Sequence, residues 1–269
     1  MTAGALEVAV EGVAVLGPGL DDWSAAGAVL RGEQAHVPAP CRLPAPDCLP
    51  PAERRRSGAA VRVALHVGAA ACAEARRRPG ALAAVFAASG GDGDNCHAIC
   101  EALASEQRLI SPTRFHNSVH NAPAGYWAIA MGATAPSTSL SAYDGSFAAG
   151  LLEAAAMVGA TSEPVLLVAY DTAYPEPLHA KRPLPDACAI GLVLAPQSMA
   201  PTALRLRLAL STGAPTALAL PALERLRRAI PAARGLTLLA ALARGAGACR
   251  LEYLPPLALD AHVAAPDGH

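Results

Sequence analysis

The chain has 269 residues, a net charge of −1 and a mean hydropathy of +0.31. This length is enough for an α/β domain with a sizeable core, and the near-neutral charge argues against a nucleic-acid-binding surface. No apolar run reaches the ~18 residues that a membrane span requires. Monomers rarely expose large apolar patches. A chain with this mean hydropathy is therefore expected to pack part of its surface against another chain.

The N-terminal residues and the cysteines both indicate a cytoplasmic protein. The first residues, MTAGALEVAVEG, lack the basic segment of a signal peptide. The cysteines show no disulfide framework, and an odd number without an export signal predicts reduced thiols. The seven positions are Cys41, Cys48, Cys72, Cys96, Cys100, Cys188 and Cys249.

Strand and helix patterns alternate along the chain. Apolar or alternating runs predict strands at residues 5–15, 82–88, 164–170, 187–195, 203–210 and 249–259. Capping and breaking residues predict a short helix from residue 21 and helices at 57–78, 96–106, 221–229 and 235–244. Pro-rich connections are expected at 37–51 and 171–185.

This alternation favours a single α/β domain over residues 1–269, with helices on both faces of the sheet. In the 203–210 segment, leucines alternate with Arg205 and Arg207. Such a pattern is typical of a half-exposed strand, which we expect at a sheet edge.

The segment 111–160 is the most informative part of the sequence. It predicts an amphipathic helix, a Ser/Thr-rich strand, a sharp turn at Tyr143-Asp144-Gly145 and a second helix that is almost wholly apolar. A helix without a polar face belongs in the interior of a layered protein. Proteins of the α/β class often place their reactive residue at the turn before such a helix. Here that residue is a tyrosine.

The loop at 89–95, SGGDGDN, invites comparison with ligand-binding loops. It lacks the spacing of a calcium loop and the Gly-Lys-Ser/Thr ending of a phosphate loop. We therefore interpret it as a strand-to-helix turn in which Asp94 or Asn95 caps the next helix. Cys96 and Cys100 are four residues apart, and we expect two buried thiols on one helix face rather than a metal site.

Two further groups of residues allow sharper interpretations. His116 and His120, with Asn117 and Asn121, would share a helix face, but the glutamate of a His-Glu-x-x-His zinc site is absent. Asp144, Ser146 and a histidine would imitate a hydrolase triad, but Gly-x-Ser-x-Gly is absent and Ser146 is expected inside the helix.

Tyr143 itself has two interpretations, which the sequence leaves open together. One is a buried aromatic residue whose hydroxyl binds backbone, the other is a side chain that fills the space of a nucleophile, and both can hold at once.

Four stretches in this order resemble the N-terminal half of a β-ketoacyl synthase. They are PAERRRSGAAVRVAL at 51–65, AAVFAASGGDGDN at 83–95, FHNSVHNAPAGYW at 115–127 and SAYDGSFAAGLLEAA at 141–155. More narrowly, they resemble short ketosynthase-like proteins called chain length factors, which are associated with aryl-polyene and xanthomonadin-type pigment pathways. The resemblance covers nearly the whole chain and is strongest over residues 51–195.

The resemblance implies a thiolase-like fold, with a mixed five-stranded sheet layered between helices. In active synthases the turn before the buried helix carries a cysteine in a Thr-Ala-Cys-Ser-Ser-like sequence. Tyr143 stands at that position here, within Ser141-Ala142-Tyr143-Asp144-Gly145-Ser146. Phenols have pKa values of about 10, so a tyrosine is a poor substitute for a thiolate, and an adjacent aspartate opposes ionisation further.

The second half of an active synthase supplies two histidines and a lysine, but no His-Gly-Thr-Gly-Thr-like motif follows residue 194. We place His262 and His269 in a frayed tail. The resemblance therefore implies a catalytically inactive homologue that pairs with an active ketosynthase and shapes the tunnel for its growing chain.

The expected partners are an active ketosynthase or a second copy of this chain, with an acyl-carrier protein as a transient ligand and no cofactor or metal. The alternatives are a residual acyltransferase or hydrolase that uses Tyr143 or Ser146, and a homodimeric scaffold. Phe115, Tyr126 and Trp127 are expected in the core or, more readily, at the dimer interface. The candidate pocket or interface residues are His116, Asn117, His120, Asn121, Tyr126, Trp127, Tyr143, Asp144, Ser146 and Phe147.

Overall fold

The structure, a computed structural model, describes residues 4–266. The strands are β1 (Leu6–Leu16), β2 (Ala83–Ala87), β3 (Ser137–Leu140), β4 (Val165–Asp171), β5 (Cys188–Ala195), β6 (Leu204–Thr212), β7 (Gly247–Glu252) and β8 (Leu257–Ala264). The helices are α1 (Trp23–Arg31), α2 (Pro51–Arg54), α3 (Ala59–Glu74), α4 (Gly93–Ala104), α5 (Pro112–Asn117), α6 (Ala122–Met131), α7 (Ser146–Thr161), α8 (Leu178–Lys181), α9 (Pro221–Ala229) and α10 (Leu236–Ala243). Short 3₁₀ turns lie at Pro79–Ala81, Tyr143–Gly145 and Pro231–Gly235.

Most predicted helices and strands are confirmed, with ends that move by a few residues. The N-cap of α4 is an exception, because the helix begins earlier than expected. The Asp92 carboxylate accepts a hydrogen bond from the Asn95 amide at 3.0 Å, so Asp92 is the cap rather than Asp94 or Asn95. The short helices α2 and α8 lie in segments that were predicted to be irregular.

The sheet is mixed and lies between helices, as expected, but its size was underestimated. Within residues 4–266 it has eight strands in the order β3-β2-β4-β5-β1-β6-β8-β7. Strands β3, β2 and β4 are parallel to one another, and every pairing from β4 to β7 is antiparallel. The expected five-stranded sheet is therefore extended by β6, β8 and β7.

Two predictions about this extension were wrong. Strand β6 does not lie at an edge, because β1 pairs with one side of it and β8 with the other. Its half-exposed pattern arises because Leu206 and Leu208 are buried on one face while the other face is open. The single strand predicted at 249–259 is a hairpin, since the Pro255-Pro256 turn separates β7 from β8.

The extension also places a residue that was assigned to a frayed tail. His262 lies within β8 and pairs with Arg207 of β6 and Ala248 of β7. His269 lies outside the described residues.

The core consists of two apolar layers, one on each face of the sheet. On one face α7 and α10 cover the strands, and the residues include Phe147, Leu151, Leu167, Ile190, Leu206 and Leu239. On the other face α3 and α6 cover the strands, and the residues include Leu65, Phe86, Trp127, Leu166, Tyr170 and Val193. The apolar helix predicted from its sequence is α7, which confirms the interior location.

Helix α4 packs differently from the other long helices. Its buried residues are Gly93 and Asn95, at its first turn, and the rest of the helix is partly or fully exposed. Cys96 and Cys100 are exposed as a result, so the expectation of two buried thiols was wrong. Among the helices of residues 4–266, none combines the length and the apolar character needed to cross a bilayer.

Candidate functional site

The predicted turn at residues 143–145 connects β3 to α7. Its first residue, Tyr143, points its side chain towards solvent. Tyr143 has a backbone φ of +51°, in the left-handed region that non-glycine residues seldom adopt. Its side chain is 63% exposed, so it is not the buried aromatic residue considered from the sequence. Gly145 ends the turn. A residue with a Cβ atom does not fit at this position, because that atom would overlap the Tyr253 carbonyl.

Two arginines surround this turn, which we call the elbow (Tyr143–Gly145). The Arg182 guanidinium lies 3.5 Å from the centre of the Tyr143 ring and donates to Asp144 Oδ1 at 2.9 Å. Arg234 pairs with Asp144 Oδ2 at 3.0 Å and also with Glu252. Burial lowers the pKa of Arg234, and the Asp144 charge opposes that effect. A cation–π contact and shared ion pairs therefore fix the elbow from outside.

The Ser146 hydroxyl fixes the elbow from inside. Ser146 is the first residue of α7 and is buried. Its oxygen accepts from the Ala142 amide at 2.9 Å and lies 2.7 Å from the Tyr143 carbonyl, to which it can donate. All the hydrogen-bond partners of this hydroxyl are backbone groups, which is a structural role rather than that of a nucleophile.

A buried carboxylate behind the elbow was not recognised from the sequence. Asp171, at the end of β4, accepts from the Ser89 amide at 3.0 Å, from the Ser89 hydroxyl at 2.6 Å and from the Ala232 amide at 2.8 Å. Ser89 in turn accepts from the Ser141 hydroxyl at 3.2 Å. Burial raises the pKa of Asp171 to about 6. The available signal was a lone acid that ends an apolar strand, PVLLVAYD.

Contrary to the prediction, His116 and His120 do not share a helix face. His116 lies on α5, whereas His120 lies in the turn between α5 and α6. Pro123 explains the break, because in a continuous helix it would have no N–H to donate to the Val119 carbonyl and its ring would clash with that carbonyl. Within residues 4–266, no group of three or more His, Cys, Asp or Glu side chains is placed to hold a metal ion.

The remaining candidates divide between core and surface. Trp127 is buried and packs edge-on against Phe86 with ring centres 6.3 Å apart, and Phe147 is buried under the elbow. The buried Tyr126 hydroxyl donates to Asn117 Oδ1 at 3.0 Å. Tyr126, Trp127 and Phe147 are therefore core residues.

The surface beside these core residues is apolar and open. A groove with a volume of ≈ 470 Å³ is lined by α5, by α6 and by the turn between them, including His116, Val119, Asn121 and Ile129. Phe115 also lines it and is 66% exposed. We call the exposed large apolar residues of this region the α4–α6 patch, which consists of Leu103, Leu109, Phe115, Val119 and Ile129.

Comparison with known proteins places this architecture in a family. The family model for the N-terminal domain of β-ketoacyl synthases matches residues 23–252. No curated protein sequence matches the chain.

Solved structures show the same fold. A chain in the complex of the ketosynthase ApeO with its chain length factor ApeC from Xenorhabdus doucetiae is 23% identical, with a TM-score of 0.73 over 96% of this chain and 99% of that one. A chain of the ishigamide ketosynthase/chain length factor is 13% identical, with a TM-score of 0.71 over 97% and 99%. Ketosynthase twelve of the bacillaene synthase from Bacillus amyloliquefaciens is 14% identical, with a TM-score of 0.53 over 77% of this chain but only 45% of that one. The chain has the thiolase-like ketosynthase fold and belongs to the β-ketoacyl synthase N-terminal domain family.

Proposed function

We propose that this chain, acting as one domain in the cytoplasm, is a catalytically inactive ketosynthase homologue that pairs with an active ketosynthase. In this role it is a chain length factor for chain elongation of the fatty-acid or polyketide type, in a pathway of the aryl-polyene class. The observation that carries the proposal is the elbow, where Tyr143 stands at the position of the family's cysteine.

The chemistry of the elbow supports a non-catalytic role. A phenol is a weak nucleophile at neutral pH compared with a thiolate. Tyr143 is covered on one ring face by Arg182, and the nearby Ser146 hydroxyl is bound to backbone groups. An elbow that carries no thiol is what we expect of a chain that contributes to a dimer rather than to the reaction.

The surface supports pairing with another chain. The members of the α4–α6 patch are between 49% and 74% exposed. Exposed large apolar side chains are typical of protein interfaces, and aromatic residues such as Phe115 are typical anchors. Strand β3 pairs on one side with β2 and ends the sheet at that edge within residues 4–266. We infer that the patch and this edge face the ketosynthase, with an acyl-carrier protein as a transient third component.

Assembly as a pair is compatible with the matched structures. The chain matches a chain of two ketosynthase/chain length factor structures almost from end to end, as it does a β-ketoacyl synthase from Burkholderia phymatum. A stable pair of this kind is expected to bury more than about 2,000 Å².

The decisive experiment is co-purification with the ketosynthase encoded beside it, followed by light scattering and an elongation assay. A one-to-one complex that elongates only with both chains present is the expected result. Phe115→Asp should weaken the complex at least tenfold, whereas Val37→Asp, at a residue 71% exposed and outside the patch, should leave it intact. A ketosynthase that elongates equally well alone, without forming a complex, would refute the proposal.

Tyr143→Phe separates this function from acyl transfer by the phenol. We expect the complex with the variant to elongate at the wild-type rate, because the phenolic oxygen has no chemical role. Labelling of the wild-type chain by an activated acyl donor, lost in Tyr143→Phe, would instead show a residual acyltransferase. A stable homodimer that ignores the ketosynthase would indicate a scaffold.

A further inference from the structure

A cavity with a volume of ≈ 610 Å³ opens beside the elbow, in a part of the chain for which the sequence suggested no function. All of its lining residues lie between positions 213 and 258, in the loop after β6, in α9, in the 3₁₀ turn at Pro231–Gly235 and in the β7–β8 hairpin. We call it the C-terminal cavity. Its volume is within the range of pockets that hold small molecules, ~300–1,000 Å³.

The walls of the C-terminal cavity are apolar and rigid. Proline side chains restrict the backbone on two sides, and small or apolar residues fill the spaces between them. These wall residues are Ala214, Pro215, Ala217, Pro255, Pro256 and Leu257. The C-terminal cavity therefore offers a binding surface for an apolar chain, with little side-chain entropy to lose on binding.

The charged groups of the lining are mostly guanidinium groups. Arg227, Arg228 and Arg234 contribute to it, and Glu252 is the single acid among its described residues. Arg234 is only 9% exposed, and its Nε–H finds no acceptor within residues 4–266. Such a buried, unpaired donor is costly, so an acceptor from a ligand would stabilise it.

The ion pairs around the C-terminal cavity leave one exposed guanidinium group, that of Arg228, on its open side. Glu224, which is outside the lining, binds Arg227 through both carboxylate oxygens, at 2.7 and 2.8 Å. The same carboxylate also accepts from Arg228 at 2.7 Å, but the Arg228 side chain remains 72% exposed. One carboxylate thus serves two arginines, and Arg228 keeps donors free for a further anion.

We propose that the C-terminal cavity binds a small amphiphilic anion, namely a carboxylate or phosphate group carried on an apolar chain. The anionic group lies against Arg228 and Arg234, and the chain lies against the Pro255-Pro256 turn. Convergent charged groups at one end of an apolar pocket are the usual arrangement for such ligands.

The C-terminal cavity is also in contact with the elbow. Arg234 pairs with Glu252 in the lining and with Asp144 in the elbow, and the Tyr253 carbonyl lies against Gly145. An anion that draws Arg234 towards the C-terminal cavity therefore weakens its pairing with Asp144. This site is independent of the proposed pairing with a ketosynthase and can exist without it.

Calorimetric titration of the full chain with three six-carbon probes tests the proposal. Hexanoate and hexyl phosphate carry the two candidate head groups, and hexanamide has the same chain without a charge. We expect saturable binding of at least one anion and at least tenfold weaker binding of the amide. The tighter of the two anions identifies the head group. Failure of both anions to bind, or equal binding of the amide, would overturn the proposal.

Two pairs of variants locate the binding. Arg228→Gln should weaken anion binding about fivefold, whereas Arg225→Gln, at an exposed residue of the same helix outside the lining, should not. Ala214→Phe should abolish binding by filling the exposed rim, whereas Ala219→Phe, in the same loop but outside this lining, should not. Circular dichroism verifies that each variant is folded. Undiminished binding to folded Ala214→Phe would place the anion elsewhere and refute the site.

Discussion

The buried carboxylate of Asp171 gives a quantitative prediction about stability. It accepts hydrogen bonds from Ser89 and Ala232, which should favour the charged form, yet burial away from water opposes that form more strongly. Replacement of Asp171 by asparagine removes the titration. It also turns an amide NH₂ group towards the Ala232 N–H, which loses one acceptor and costs about 1–3 kcal/mol at every pH.

The sign of the pH effect follows from the raised pKa of Asp171. The pKa is about 6 in the folded chain, against about 3.9 when unfolded. Between these values the folded carboxyl binds a proton that the unfolded one has released, so the stability of the wild type increases as the pH falls. From pH 8 to pH 5 the expected gain is about 1.4 kcal/mol, and it is absent in Asp171→Asn.

The measurement is chemical denaturation of both proteins at several pH values between 5 and 8. The difference between their free energies of unfolding should widen by about 1.4 kcal/mol towards pH 5. Taking the difference between the two proteins cancels the effects of all other titrating groups, because both proteins share them. Asp47→Asn, at a side chain 77% exposed, is the matched control and should follow the wild type. If the difference between wild type and Asp171→Asn stayed constant, or narrowed towards pH 5, the three hydrogen bonds would dominate and the reasoning would be wrong.

For three further substitutions, packing and charge determine whether the folded chain becomes more or less stable. A Cβ atom on Gly150 would lie 2.6 Å from the Ala87 Cβ, so Gly150→Ala should destabilise the chain by about 1–3 kcal/mol. Gly159→Ala, on the same helix with open space around it, should stabilise by about 0.5–1 kcal/mol. Glu224→Gln leaves the buried Arg227 without its partner and should cost about 3 kcal/mol. Because hydrogen bonding to Arg227 lowers the pKa of Glu224 to about 2, that contribution should be lost only as the pH falls from about 4.5 towards 2. Thermal or denaturant unfolding measures all of these, and an unchanged midpoint in Gly150→Ala or Glu224→Gln would contradict the packing or the ion pair.

The elements around the elbow were predictable because local patterns determine them. The apolar run at 164–170 is β4, buried at every position, and the almost wholly apolar segment after Gly145 is α7. The turn itself was predictable from Tyr143-Asp144-Gly145, since glycine and aspartate favour turns. What the sequence could not give was the direction of the Tyr143 side chain, because that depends on Arg182 approaching from a loop about forty residues away.

The C-terminal part of the sheet was less predictable for a different reason. Alternation of Leu206 and Leu208 with arginines shows which face is buried, but it does not show which strands lie alongside. The hairpin was missed because the apolar residues on both sides of Pro255-Pro256 were combined into one strand.

The residues around the elbow come from four separate places in the chain. Asp144, Arg182, Arg234 and Glu252 meet only after the sheet has formed. No spacing rule connects positions this far apart. Asp171 carried a local signal, as an acid at the end of a buried strand, but its partners Ser89 and Ala232 lie about 80 and 60 residues away, respectively.

The place of β1 in the sheet has a consequence during protein synthesis. This strand is made first, yet its neighbours are β5 and β6, so Ala9 pairs with Ala195 and Leu6 with Leu208. At ~5–20 residues per second, about 170 residues separate the end of β1 from the start of β5, which is a delay of roughly 10–35 s. Throughout that interval the apolar segment LEVAVEGVAVL has both of its backbone edges unpaired. During synthesis this strand is therefore the part of the sheet that is exposed longest to pairing with other chains.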